Sequence, residues 1–94
     1  MAAYIIARIE VTNLEAYKEY AAKTPALAES FGGRFLVKAG AFEQIEGSGP
    51  DRHVVIEMPD VETAKAFYNS ADYQKILPIA LENSKRDLVI VEGA

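Results

Sequence analysis

Four short segments rich in β-branched and other apolar residues, separated by two helical stretches, most constrain the fold of this chain. The segments are Ala3–Glu10, Arg34–Ala39, His53–Met58 and Leu88–Val91, and their composition is typical of strands. The resulting order is β-α-β-β-α-β, which commonly forms an antiparallel sheet with both crossover helices on one face. We therefore predict an α+β fold of the ferredoxin-like βαββαβ type, in a single domain over residues 1–94.

Local signals set the expected boundaries of the helices. Thr12 is predicted to cap the first helix, with a glutamate three residues later completing a capping box. Pro25 predicts a kink or a restart within that helix, because proline lacks the backbone donor that a helix interior needs. Asp60 and Ser70 are predicted to cap the two later helical segments, and Pro78 is expected to make the last one irregular.

The second strand is predicted to be interrupted. A β-bulge is expected at Gly40, and Phe42–Ile45 is expected to continue the strand beyond it. The segment Gly47–Asp51 contains two glycines and a proline, and it is the clearest turn signal in the chain.

Alternation along the strands assigns their side chains to two faces of the sheet. One face is predicted to carry no charge and therefore to lie under the helices. Its members are Ile5, Ala7, Ile9, Phe35, Val37, Val54, Ile56, Met58, Leu88 and Ile90.

The opposite face is predicted to mix apolar and charged side chains. A contiguous apolar band there would invite association if it were left bare. We therefore predict a homodimer, with a merely amphipathic open face as the alternative. The predicted dimer interface contains Ile6, Arg8, Leu36, Lys38, Val55 and Glu57.

Four blocks of the sequence, in order, resemble a known family. They are Gly32–Val37, Val54–Pro59, Ala66–Gln74 and Leu88–Gly93. The family is a small, largely bacterial one of domains of unknown function, within the dimeric α/β-barrel superfamily. The resemblance implies a ferredoxin-like protomer whose sheet packs on that of a second copy. It implies no reaction, and the superfamily's monooxygenases, lactone isomerases and haem-binding enzymes are related to this chain by fold-level analogy alone.

Composition excludes several classes of function. The chain has no cysteine and one histidine, so neither a thiolate metal site nor a ligand-spaced cluster is expected, and no cofactor is predicted. The net charge of −4 and the scattered basic residues argue against a nucleic-acid partner. No apolar run approaches the ~18 residues of a membrane span, and a cytoplasmic location is expected.

Few residues are candidates for catalysis or ligand binding. His53 is a candidate base, although Glu57 on the same strand face lies about 13 Å away, and the alternative is a surface histidine. The charged residues of the second face could form an anion or polar-ligand site inside the barrel, or interchain ion pairs. Tyr17, Tyr68 and Tyr73 could line a ligand cleft between helices and sheet, and the alternative is core packing.

Two hypotheses for function follow. The chain binds or transforms a small organic molecule in the cleft between the helices and the sheet, or it is a non-catalytic dimeric scaffold or regulatory module. The sequence does not decide whether the chain is an enzyme.

Overall fold

The fold is a four-stranded antiparallel sheet with three helices, seen in a computed structural model that describes residues 1–94. The strand order is β2-β3-β1-β4, and the arrangement confirms the predicted ferredoxin-like βαββαβ fold. None of the three helices has the length and apolarity needed to cross a bilayer. The elements are β1 (Ala3–Val11), α1 (Leu14–Ser30), β2 (Arg34–Lys38), β3 (Arg52–Met58), α2 (Val61–Tyr68), α3 (Ala71–Glu82) and β4 (Ser84–Glu92).

The side chains of β1, one of the two central strands, alternate between a covered and an open face of the sheet. Ile5, Ala7 and Ile9 are buried under the helices, whereas Ile6 and Arg8 point to the opposite face. The covered residues join buried side chains of all three helices in one hydrophobic core. The sheet therefore has a covered face, beneath the helices, and an open face, as the alternation predicts.

A β-bulge in β2 changes which side chains face the helices. Phe35 lies opposite Ile56 of β3. Val37 lies opposite Val55, the very next residue of β3, so Leu36 is the extra residue of the bulge. Every side chain of β2 after the bulge is therefore exchanged between the two faces relative to a regular strand.

Two sequence-based face assignments are wrong for this reason. Lys38 lies opposite Val54, a residue of the covered face, and its Nζ is 5.6 Å from the centre of the Phe35 ring. Lys38 therefore lies on the helix side and not with the other residues of the predicted dimer interface. Val37 was expected under the helices, but it lies on the open face and is 39% exposed.

The end of β2 also differs from the prediction. Ala39 has a φ of 55°, a left-handed conformation that does not continue a strand, and β2 ends at Lys38. The bulge was predicted at Gly40, but it lies earlier in the strand, at Leu36. Phe42–Ile45 forms no strand; instead, the Phe42 ring packs 5.0 Å from that of His53.

Side-chain caps fix where the helices begin. Asn13, and not Thr12, caps α1, because its side chain accepts a hydrogen bond from the backbone N–H of Ala16. The predicted caps Asp60 and Ser70 are confirmed, and each accepts a hydrogen bond from the backbone N–H three residues later. The Ser70 cap begins α3 at Ala71, so that the buried Tyr73 lies in its first turn.

Neither proline interrupts its helix. α1 runs through Pro25 and α3 through Pro78, so the predicted restart at Pro25 is wrong, whereas the kink there and the irregularity at Pro78 stay predictions. Tyr20 and Ala28 are both buried on the same face of α1, one on each side of Pro25. Burial on both sides of Pro25 stabilises the helix by tertiary packing, which outweighs the local cost of the proline.

Gly33 lies so close to Met58 and Ala28 that a side chain at this position tests how tightly α1 packs on β3. A Cβ at Gly33 would lie 2.6 Å from Sδ of Met58 and 2.9 Å from the carbonyl oxygen of Ala28. We expect Gly33→Ala to lower the free energy of unfolding by about 1–3 kcal/mol, the usual cost of overpacking. Urea denaturation measures the change.

Gly40→Ala is the matched control, since nothing lies within 4 Å of a Cβ at that position. Its free energy of unfolding should stay within about 0.5 kcal/mol of the wild type. If the two variants unfold at the same urea concentration, the tight contact at Gly33 is wrong.

Candidate functional site

Arg86 points from β4 into the layer between the sheet and the helices. Its Cα lies opposite that of Ile9, a buried residue of the covered face. Nη2 donates to the Tyr73 hydroxyl at 3.1 Å and to the Tyr20 hydroxyl at 3.3 Å, and Nη1 donates to the Tyr17 hydroxyl at 3.5 Å. We call these four residues the tyrosine–arginine cluster. All the acceptors of the guanidinium in this cluster are phenols.

The three tyrosines meet because of where two helices place them. Tyr17 and Tyr20 are three residues apart on α1 and therefore share one helical face, and their ring centres are 5.3 Å apart. Tyr73 lies in the first turn of α3, three residues after the Ser70 cap. The hydroxyls of Tyr20 and Tyr73 are 2.6 Å apart, so one donates to the other. Each of the three tyrosines is buried.

The electrostatics of the cluster keep the phenols of Tyr17 and Tyr73 protonated. Burial, together with the neighbouring Tyr20 hydroxyl, raises the pKa of Tyr73, and burial also raises that of Tyr17. Burial opposes the charge on Arg86, but its interactions with Tyr20 and Tyr73 outweigh that effect and raise its pKa. At neutral pH the cluster therefore combines the Arg86 cation with the neutral hydroxyls of Tyr17 and Tyr73.

A cavity of about 50 Å³ lies beside the cluster, between α1 and the covered face. Its walls are mostly apolar, with Ile5 and Ile56 on the sheet side. No aspartate or glutamate lines it. A cavity of this size has room for about three or four water molecules. We call this space the covered pocket.

Two further cations reach the covered pocket. The guanidinium carbon of Arg52, on β3, lies 5.4 Å from the centre of the Tyr17 ring. Its Nε is buried without a hydrogen-bond partner. Lys38, which the bulge brings to this side, also lines the pocket. Neither Arg52, Lys38 nor Arg86 forms an ion pair, since the three salt bridges of the chain lie elsewhere.

The structure brings only some of the predicted site residues together. Tyr17 and Tyr73 line the covered pocket. Tyr68 packs against the Tyr73 ring at 5.2 Å, but it lines a separate, shallower groove between the helices and the edge strand β4. His53 lies on the open face opposite Arg8, on the other side of the sheet. No group of three or more His, Asp or Glu side chains is placed to hold a metal ion.

Sequence reasoning missed Arg52 and Arg86, and its site residues did not include Tyr20. The spacing of three from Tyr17 could have added Tyr20 to them. Arg86 shares a face with Leu88, two residues later, but the strand was predicted to begin only at Leu88. Arg52 likewise lies one residue before the predicted start of its strand.

The open face carries a second feature, an apolar row that crosses all four strands. Its polar neighbours include Arg34 and Glu57, which form an ion pair at 2.8 Å, and Tyr4, which donates to Glu57 at 3.5 Å. Two members of the row are exposed by 39% and 49%. The row consists of Val37, Val55, Ile6 and Val89.

Comparison with solved structures supports the fold. A protein of unknown function from Rhodopseudomonas palustris has a TM-score of 0.80 and 16% identity, over 99% of this chain and 82% of that one. SnoaB, a cofactor-independent oxygenase from Streptomyces nogalater, has a TM-score of 0.68 and 11% identity, over 99% and 93%. A dimeric protein of unknown function with a ferredoxin-like fold from Bacteroides fragilis has a TM-score of 0.68 and 12% identity, over 98% and 96%.

Identities this low establish a shared fold and nothing finer. Among curated proteins, none matches this chain. The sequence profile described as Domain of unknown function (DUF1330) matches residues 2–94, which is nearly the whole chain. The resemblance seen in the four sequence blocks is therefore confirmed, and the chain belongs to the DUF1330 family.

Proposed function

We propose that this chain binds a small organic molecule in the covered pocket, with the tyrosine–arginine cluster supplying the polar contacts. The observation that carries this proposal is the buried Nε of Arg52, which has no acceptor beside an incompletely filled cavity. Protein interiors are close-packed, and their buried donors are nearly always hydrogen-bonded. A bound molecule would fill the cavity and accept from this donor.

The size of the cavity limits what can bind. Its volume of about 50 Å³ is smaller than the roughly 150 Å³ of an engineered cavity that holds benzene. Lys38 is the only exposed residue among those lining the pocket, so the mouth lies beside it. A compact aliphatic molecule fits with little adjustment, whereas a ring requires the flexible Lys38 side chain to move aside.

Any reaction in this pocket would use hydrogen-bond donors. Neutral phenols and a protonated guanidinium stabilise negative charge that develops on an oxygen atom, as in an enolate. Their raised pKa values make Tyr17 and Tyr73 poor bases at neutral pH. Cofactor-independent oxygenation, the activity of SnoaB, is one reaction class for which this arrangement could be tested.

The alternative function is a non-catalytic dimeric module. The small volume of the covered pocket favours it, because an occupant of ordinary ligand size is not accommodated without movement.

We also propose that a second copy of the chain covers the open face. The apolar row of this face includes two exposed valines, Val37 and Val89, beside the Arg34–Glu57 ion pair. Apolar patches rimmed by charge are typical of protein interfaces. The similar protein from Bacteroides fragilis is described as dimeric, which supports the same assembly here.

The ligand proposal predicts that loss of one phenol weakens binding. In a fragment screen followed by NMR, we expect Tyr73→Phe and Tyr17→Phe each to reduce the affinity of pocket-bound fragments by about 2- to 12-fold. This range corresponds to one hydrogen bond of about 0.5–1.5 kcal/mol. Tyr68→Phe is the matched control, since Tyr68 does not line the covered pocket. If no fragment binds there, or if all three variants behave alike, the proposal is wrong.

The dimer proposal predicts that a charge in the apolar row releases monomers. Val55→Asp should shift the mass measured by light scattering from dimer to monomer at micromolar concentration, because an unpaired carboxylate is costly to bury. Leu14→Asp is the control: Leu14 is 55% exposed at the start of α1, where a negative charge is tolerated. A monomeric wild-type protein would contradict the proposal.

A further inference from the structure

We propose that the molecule bound in the covered pocket is a small organic acid, whose carboxylate accepts hydrogen bonds from Arg86, Arg52 and the free phenolic hydrogens. This inference rests on the proposed function, because it names the chemical class of the ligand at that same site. Three observations carry it: the balance of donors and acceptors, the unpaired charges and the apolar remainder of the pocket.

Donors outnumber acceptors around the pocket. Tyr20 and Tyr73 share one hydrogen bond, which uses one of their two phenolic hydrogens, and both oxygens already accept from Arg86. The other hydrogen of this pair remains free, as does that of Tyr17, whose hydroxyl only accepts. The Thr24 hydroxyl donates to the carbonyl oxygen of Tyr20.

Together with Nε–H of Arg52, at least three donors therefore have no acceptor in the protein. A carboxylate offers two oxygens with about four lone-pair sites and no donor of its own, so it complements this set. A neutral alcohol or amine would bring further donors to a site that lacks acceptors.

The charges of the pocket point to the same class of ligand. Lys38, Arg52 and Arg86 all line it, and none is paired with a carboxylate, although the chain as a whole has a net charge of −4. Each cation lies 5.2–5.6 Å from an aromatic ring centre. These cation–π contacts leave all three cations without a counter-ion, which an anionic ligand would supply.

The remaining walls argue for an organic anion rather than an inorganic one. The other walls include Ile5 and Ile56 of the sheet and Phe35, whose ring centre lies 5.6 Å from Nζ of Lys38. A phosphate or sulfate ion would leave its outer oxygens against these apolar side chains, where they would lose their hydration without replacement. A carboxylic acid instead presents one charged end and an apolar remainder, as the pocket does.

The test is a set of matched carboxylates and amides, from acetate and acetamide to benzoate and benzamide, titrated by calorimetry at neutral pH and constant ionic strength. Within each pair the two probes have nearly the same shape and differ in charge. We expect at least one carboxylate to bind about tenfold or more tightly than its amide, because charge-assisted hydrogen bonds are the stronger ones.

Two variants connect this preference to the pocket. Arg52→Met keeps an unbranched side chain of similar volume and removes the charge and the unpartnered donor. Lys38→Gln removes the charge at the exposed mouth. Each should reduce the ratio of carboxylate to amide affinity at least about threefold, because each removes one of the charged contacts. Lys75→Gln is the control: Lys75 is an exposed residue of α3 that neither lines the pocket nor forms an ion pair.

The outcomes separate this inference from the proposed function. If amides bind as tightly as their carboxylates, the small-molecule site stands and the acid inference is overturned. If the control Lys75→Gln weakens carboxylate binding as much as Arg52→Met and Lys38→Gln do, the preference reflects overall charge and the inference is again overturned. If no probe of either charge binds, the proposed function fails, and the inference fails with it. Circular dichroism of each variant establishes that weaker carboxylate binding does not result from unfolding.

Discussion

The charge of Arg86 has to be accommodated within a layer that is otherwise apolar, and the elements around it are arranged to do this. α1 contributes two hydroxyls from adjacent turns of one face, and α3 contributes a third from its first turn. The Ser70 cap, which separates α2 from α3, is what brings Tyr73 to the guanidinium. A cation with only phenols around it is hydrogen-bonded but not neutralised, which is why we propose that an anion completes the site.

The two faces of the sheet are specialised, and a single extra residue decides which face receives a third cation. Without the bulge at Leu36, Lys38 would lie on the open face among the residues expected to contact a second copy. With it, Lys38 stands at the mouth of the covered pocket, and Val37 joins the apolar row of the open face. The bulge therefore makes the covered side more basic and the open side more apolar.

The architecture could be predicted from the sequence because it depends on strong local signals. Alternation in β1 and β3 and the helix caps at Asp60 and Ser70 agree with the global fold, as expected of a sequence whose local and tertiary preferences coincide. Tyr17 and Tyr73 could also be chosen, as aromatic residues with a polar atom on the helical segments.

The cations of the site could not be predicted in the same way. Arg86 lies in a polar stretch, Lys85–Asp87, that looks like a connection until its pairing with β1 is known. Lys38 depends on a bulge at Leu36, and that residue is flanked by equally apolar neighbours that give no local sign of an irregularity. Both placements are set by pairing between strands distant in sequence, which local propensity does not encode.

The proposal that Arg86 takes part in binding an anion is tested most directly by the free energies of unfolding of the wild type and of Arg86→Met, each with and without a carboxylate that binds the wild type. Methionine keeps most of the volume, removes the charge, and leaves the hydrogen bond between Tyr20 and Tyr73 in place. The raised pKa of Arg86 means that the folded chain favours its charged form, so the substitution alone should lower the free energy of unfolding. The carboxylate should raise the free energy of unfolding of the wild type and leave that of Arg86→Met unchanged. An equal increase in both proteins would contradict the proposal, because Arg86 would then serve the fold alone.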